Sequence, residues 1–305
     1  MSSDRDHLAI VLAADDAFAA PLAVTLRSIQ DSTPDPERIS ISILDCGMSS
    51  RSRDLVKRSV PHLSVDYITV DESTTSDLPT YGYQSRATYG RLFIGDLLPP
   101  DLSRVLYLDC DLIVLDDLLQ LTEFDMQGFP IAAVVDSGAP VFGHGMGCWR
   151  EAALDPRTAY FNAGVMLIDL DEWRTSNIGG RSLDAIGRFA ATITFGDQDV
   201  LNLSLNGNFS RLPLHWNQIH VLRQGGHQAY NFASASEVDE AMFHPKIVHF
   251  TGIAKPWHRQ STDPMRDAWR EVHKRTLFHP LRLRNLGTRD RLLHAGISLK
   301  RLITE

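Results

Sequence analysis

Residues 8–16 read Leu-Ala-Ile-Val-Leu-Ala-Ala-Asp-Asp, an apolar run closed by two acids. A buried helix needs at least about ten residues, so a run this short, carrying Ile and Val, predicts a buried strand. Residues 19–31 follow with Ala19, Leu22, Ala23, Leu26 and Ile29 on one helical face. Strand and helix together make a β-α unit, and the alternation continues along the chain. Strands are expected at 39–45 and 63–70, with a helix at 49–60 between them. A helix over 85–98 places Tyr89, Leu92, Phe93 and Leu97 on one face, with Ser85 as N-cap and Pro99-Pro100 as stop. Further strands are expected at 131–136, 163–170 and 246–250, and a short helix at 197–205. The expected fold is α/β, a sheet flanked by helices, in one domain over residues 1–262 followed by a basic helical tail over 263–305.

Charge limits the function classes. A formal net charge of -8 leaves no basic excess for neutralising phosphates, which argues against nucleic acid as a partner. The tail is different: residues 266–305 hold ten Lys and Arg against four Asp and Glu. The three cysteines, Cys46, Cys110 and Cys148, form no CxxC pair, so neither a disulfide framework nor a zinc site is expected, and a reducing cytoplasm fits. The N-terminus has acids where a signal peptide needs a basic region, and no stretch approaches the roughly 20 apolar residues of a membrane span.

Within this frame residues 107–114, Tyr-Leu-Asp-Cys-Asp-Leu-Ile-Val, set two carboxylates inside an apolar run. Ionised carboxylates removed from water need cationic partners. If the run is extended, alternate residues share a face, so Asp109 and Asp111 point the same way and Cys110 the opposite way. Such a pair can grip a divalent cation or can simply be a solvated loop edge. Oxygen ligands suit Mg²⁺ or Mn²⁺, and a nearby imidazole favours Mn²⁺. Asp15 and Asp16 end the first strand where open α/β sheets bind nucleotides, though acids there also cap helices. Arg91 lies on the polar side of the 85–98 segment. Asn162 precedes a strand beside Ala163 and Gly164, small enough for a ligand to approach the backbone. Asp197, Gln198 and Asp199 begin a helix; His249 lies in the last strand, and Gly252 and Lys255 follow it. His249 reads either as a ligand or as a satisfied core residue; Lys255 offers a cation suited to a diphosphate.

Taken in chain order, LAADD, TYGRL, YLDCD, FNAGV, DQD and HFTGIAKPWH resemble the retaining family 8 glycosyltransferases, over about residues 7–260. The resemblance implies the GT-A fold, a Rossmann-like single domain that binds a UDP-hexose with Mn²⁺, Mg²⁺ being the alternative, and transfers the sugar with retention. It implies Asp109, Asp111 and His249 as metal ligands. Asp15 would hold uracil with Phe18 beside the base, and Ala13, Cys110 and Ala163 would line the donor. Arg91, Asn162 and Asp197 would hold the sugar's hydroxyls, while Gly252 and Lys255 would close on the diphosphate. Gln198 would lie beneath the anomeric carbon as the catalytic residue, with Asp197 beside it. Tyr83 and Gln84 fall where relatives contact the acceptor. Ala17 departs from the polar residue that relatives often place two positions after the uracil-binding acid.

The expected activity is hexose transfer, glucose or galactose, to a saccharide or glycolipid in surface glycan or lipopolysaccharide synthesis. Two alternatives stand beside it: a self-glycosylating primer like glycogenin, with a tyrosine such as Tyr230 as acceptor, and a nucleotide-sugar-binding module without turnover. Residues 290–303 carry broad apolar faces flanked by Arg289, Arg291, Lys300 and Arg301. They suit either an anionic membrane surface, making the protein peripheral on the cytoplasmic side, or packing against protein.

Overall fold

The computed structural model describes residues 7–80, 85–224 and 231–287. Tyr83, Gln84, Tyr230 and the amphipathic stretch 290–303 lie outside the described residues.

Strands β1 (Leu8–Ala14), β2 (Ile39–Asp45), β3 (Ser64–Thr69), β4 (Arg104–Leu108), β6 (Ile131–Val135), β7 (Phe161–Asp169) and β8 (Ser210–Arg211) form one mixed sheet in the order β3-β2-β1-β4-β7-β6-β8. The pairs β1·β2, β2·β3 and β1·β4 are parallel, and β7 runs antiparallel to both β4 and β6. Strands β5 (Leu112–Val114), β9 (Gln218–Ile219) and β10 (Ile247–His249) make a second, small sheet in which β10 lies between the other two. The α/β expectation holds, and the helices Ala19–Ser32 and Asp197–Leu205 stand within a residue of where periodicity put them.

Two local expectations are corrected. The segment 85–98 is a 3-10 helix at Arg86–Phe93 followed by one α-turn at Ile94–Leu97. At three residues per turn Thr88, Arg91 and Ile94 align, and Arg91 points into the core, only 3% exposed. The apolar run that holds residues 107–114 is also not one extended strand. The chain leaves the large sheet at Leu108, bends through Asp109–Asp111 and enters the small sheet at Leu112. The Asp109 N–H donates to the Gly164 carbonyl of β7, and the Phe250 N–H donates to the Asp111 carbonyl, so each end of the bend is pinned to a different sheet.

Helix Ala19–Ser32 fastens the bend from outside. The buried Thr25 hydroxyl lies 2.9 Å from the Cys110 carbonyl and 2.8 Å from that of Leu112, and Ser28 Oγ accepts the Val114 N–H at 2.9 Å. These polar positions share the helix with the apolar face that the sequence displays. Helix Arg266–His273 packs its fully buried Trp269 against Trp257, in a cluster with Val24, Ile113, Val248 and Phe250.

Thr25→Val keeps the volume and removes the donor from two buried carbonyls. It should lower stability by about 1–3 kcal/mol, read as a shift of the urea midpoint with an unchanged slope.

Candidate functional site

A cleft of about 560 Å³ opens where β1, β4 and β10 end and β7 begins, within the size range of small-ligand sites. Its lining includes Ala13, Phe18, Arg91, Asp109, Cys110, Asp111, Asn162, Asp197, Gln198, His249, Gly252 and Lys255. Residues separated by more than two hundred positions are thus brought together.

At the floor, each carboxylate of the bend has one oxygen tied down and one free to face His249. Asp109 Oδ1 receives Arg91 Nη2 at 2.6 Å and the Tyr107 hydroxyl at 3.1 Å, while its Oδ2 lies 3.6 Å from His249 Nε2. Asp111 Oδ2 receives Lys255 Nζ at 2.6 Å, while its Oδ1 lies 3.1 Å from the same Nε2. Burial works against ionisation of Asp111, but Lys255 and His249 outweigh it and hold this carboxyl well below the usual carboxylate range. The three ligand atoms lie within 4.8 Å of one another. Two carboxylate oxygens and one imidazole nitrogen are a donor set that fits Mn²⁺, or Mg²⁺ less well. The two acids converge because the backbone bends between the sheets; strand alternation plays no part. The cationic partners that the sequence demanded are Arg91 and Lys255, both on the protein.

Gly164 makes room for this cluster. A Cβ there would stand 2.1 Å from His249 Cε1 and 2.8 Å from Asp109 Oδ2. The small residue of β7 therefore admits the imidazole, where the sequence suggested space for a ligand.

Arg91 binds the second wall to the first. Its Nε lies 2.8 Å from Asp197 Oδ2, its Nη1 donates to the Ala163 carbonyl at 2.6 Å, and its guanidinium lies over the Tyr107 ring at 4.5 Å. Burial pushes the Asp197 carboxyl up to about 6, against the pull of Arg91. Gln198 is held at both ends. Its Oε1 accepts from Asn162 Nδ2 at 3.0 Å and from the Ala163 N–H at 3.1 Å, and its Nε2 donates to Asp136 Oδ2 at 3.3 Å. Asp199 accepts the Thr194 and Phe195 N–H groups and the Tyr160 hydroxyl, so it braces the loop that delivers Asp197 and Gln198.

At the outer end Asp15 caps the turn Asp16–Phe18 through the Phe18 N–H and accepts the Ser85 hydroxyl at 2.5 Å. It opens on an adjoining hollow with Ser85, Asp45 and Cys46. Phe18 meets Trp257 edge to face, and Cys110 Sγ donates to the Ala13 carbonyl at 3.3 Å. Gly252 takes the His220 ring against its backbone; an added Cβ would meet that ring at 3.0 Å. His220 Nδ1 lies 2.7 Å from Asp263 Oδ2, which also receives Arg223 Nη2 at 2.6 Å. Asp136, Asn217, His220, Arg223 and Asp263 were not singled out from the sequence, where each stands as an isolated polar residue without a spacing pattern.

Comparison with known proteins places this geometry. The sequence profile of Glycosyl transferase family 8 matches residues 9–261. General stress protein A of Bacillus subtilis (strain 168) is 26% identical, over 85% of this chain and 91% of its own length. Lipopolysaccharide 1,2-glucosyltransferase of Escherichia coli (strain K12) is 32% identical over 61% of this chain, and the match spans about half of that protein, 54%. The crystal structure of the galactosyltransferase LgtC in complex with donor and acceptor sugar analogs superposes with a TM-score of 0.78 at 28% identity, covering 90% of this chain and 98% of that one. The fold is the GT-A fold of that enzyme.

Two outcomes follow from the geometry. Gly164→Ala should drive the imidazole out of the cluster and weaken Mn²⁺ binding by at least about tenfold, measured by electron paramagnetic resonance of free Mn²⁺ in the presence of UDP. For Asp263, burial opposes ionisation, but His220 and Arg223 bring the carboxyl down to about 2 from an ordinary 3.8. A depressed folded pKa stabilises the folded chain above about pH 4, and that stabilisation is lost as pH falls towards 2. Thermal melts between pH 2 and pH 7 should therefore show a shallower acid loss for Asp263→Asn than for the unmodified chain.

Proposed function

Because the chain belongs to glycosyl transferase family 8, we propose that it moves a hexose, glucose or galactose, from a UDP-sugar to a carbohydrate or glycolipid acceptor with retained configuration. One observation supports this reading above the rest. Asp109 Oδ2, Asp111 Oδ1 and His249 Nε2 converge on one wall of a cleft whose other wall carries Asp197 and Gln198, and Arg91 links the two walls.

In this reading Asp109, Asp111 and His249 hold Mn²⁺, with Mg²⁺ as the alternative, and the bound ion supplies Lewis-acid stabilisation of charge developing on the UDP leaving group. Lys255 faces the same region from the loop after β10 and supplies a cation to the diphosphate, exchanging Asp111 for phosphate oxygen. Gly252 allows that loop to lie close to the phosphates. Asp15 and Phe18 serve the uracil end, and Ala13, Cys110 and Ala163 present backbone along the donor. Asp197 and Asn162 orient the sugar, although Asn162 must exchange an existing partner to touch it, since its amide has four partners already.

Gln198 bears on the stereochemistry. Both ends of its amide are engaged, and an amide oxygen is a weak nucleophile even when unengaged. A front-face route fits better. The acceptor hydroxyl attacks on the side from which UDP departs, and the departing phosphate oxygen takes its proton. The carbon–oxygen bond to UDP breaks as the bond to the acceptor oxygen forms, so charge and protons balance without an enzyme nucleophile.

The resemblance to the lipopolysaccharide glucosyltransferase supports work on a surface glycan at the cytoplasmic side, with the basic tail against an anionic membrane surface. Among the described residues no helix is long and apolar enough to cross a membrane.

UDP release should be measured with UDP-glucose and UDP-galactose in Mn²⁺, Mg²⁺ and EDTA. Loss in EDTA, recovery with Mn²⁺ and a fall of at least about 100-fold in Asp111→Ala are expected. Activity indifferent to EDTA and to that substitution would overturn the metal-dependent reading, and a stable glycosyl adduct on unmodified Gln198 would overturn the front-face route.

A further inference from the structure

The imidazole of His249 touches the carboxylates through Nε2 only, and its other nitrogen leads into the protein. His249 Nδ1 lies 3.0 Å from Oδ1 of Asn217, a residue 1% exposed that stands at the end of the turn Leu214–Asn217, just before β9. Asn217 Nδ2 in turn donates to Asn162 Oδ1 at 2.9 Å. Asn162 Oδ1 also accepts the Gly164 N–H at 3.1 Å, and Asn162 Nδ2 donates to Asp136 Oδ2 at 3.1 Å.

The direction of this chain of amides is dictated by its end groups. The Gly164 N–H can only donate, so the Asn162 atom it meets must be the oxygen. That oxygen can only accept, so Asn217 must present its NH₂ to Asn162. Its own oxygen is then turned towards His249. An amide oxygen cannot donate, and so the proton of the imidazole must sit on Nδ1. Nε2, facing the two carboxylate oxygens, is then the nitrogen open to a cation held between them.

We propose that Asn217 is the positioning residue of the metal site: it fixes the His249 tautomer and ring angle so that Nε2 is presented as a ligand. The inference rests on the metal reading above and assigns to a residue outside the ligand set the task of engaging the Nδ1 proton, so that Nε2 is the ring atom aimed at the site. Burial reinforces it, because a ring flip or tautomer change would leave Asn217 Oδ1 without a donor in a place water does not reach. The same amide chain ends on Asp136 and Gln198, so Asn162 is the shared joint between the metal side of the cleft and the side that faces the sugar.

The test compares Asn217→Ala with Asn217→Asp. Both lose the bond to Asn162, but only Asp keeps an oxygen for His249 Nδ1. Mn²⁺ binding in the presence of UDP, read by electron paramagnetic resonance, should weaken about 10- to 100-fold in Asn217→Ala and stay within about threefold of the unmodified chain in Asn217→Asp. Equal loss in both variants, or no loss in Asn217→Ala, would overturn the proposal by reducing Asn217 to a packing residue or to none. Independently of either variant, long-range ¹H–¹⁵N correlation spectra of the unmodified chain with Mg²⁺ and UDP, with His249 assigned through His249→Ala, should place its proton on Nδ1. A proton on Nε2 would overturn the proposal. Unimpaired Mn²⁺ binding by His249→Ala would instead sink the metal reading itself, which keeps the two failures apart.

Discussion

The cleft rests on one buried guanidinium. Arg91 joins Asp109, from the bend after β4, to Asp197, from the start of a helix almost ninety residues later, and closes on the backbone of β7 through the Ala163 carbonyl. Neither carboxylate is placed where water could compensate it fully, and an isolated buried charge costs several kcal/mol. The two acids can approach each other only because a planar, permanently charged group with a fixed fork of donors stands between them. Lysine could satisfy one of them but not both in this geometry. The raised Asp197 carboxyl shows that even Arg91 does not fully offset burial at that end.

Around this ion pair the remaining polar groups are arranged so that each engaged atom leaves a particular neighbour exposed. Arg91 and Tyr107 occupy one oxygen of Asp109, and Lys255 occupies one of Asp111, which leaves the other two facing His249. Gln198 and Asn162 are saturated in the same manner. In a medium of low effective dielectric such a network is worth most when every member has a partner, and it resists rearrangement for the same reason. Lys255 belongs to the same network, buried with its ammonium on Asp111 and on the Phe250 carbonyl.

Much of this was legible in the sequence, for reasons that vary from residue to residue. β2 matched its expected bounds because strict alternation leaves one register that buries the apolar set. The family motifs pointed to Asp109, Asp111, His249, Arg91 and Gln198, and the structure brings these side chains to one cleft. What the pattern misjudged was the local backbone. Periodicity of 3.6 and of 3.0 are hard to separate over eight residues, so Arg91 was placed on a polar face when it lies in the core. Two acids flanked by apolar runs on both sides look like one strand, because the bend between the sheets is made by hydrogen bonds to β7 and β10 that local sequence does not encode. Asn217 sits in Leu-His-Trp-Asn-Gln-Ile, where nothing in the spacing marks it; its role exists only through contacts with residues 162 and 249.

The bend has a consequence for how the protein is made. Asp109 is held by the large sheet, which draws most of its strands from the first 170 residues, while His249 arrives on β10, the strand latest in sequence, and Asn217 just ahead of β9. Contacts of such sequence separation close late, because a long loop must be ordered before they return any energy. A ribosome-bound chain that has emerged through β7 thus holds two acids and no third ligand. The cluster is thus a mark of completion: only docking of the second sheet brings the three side-chain atoms of Asp109, Asp111 and His249 within 4.8 Å of one another.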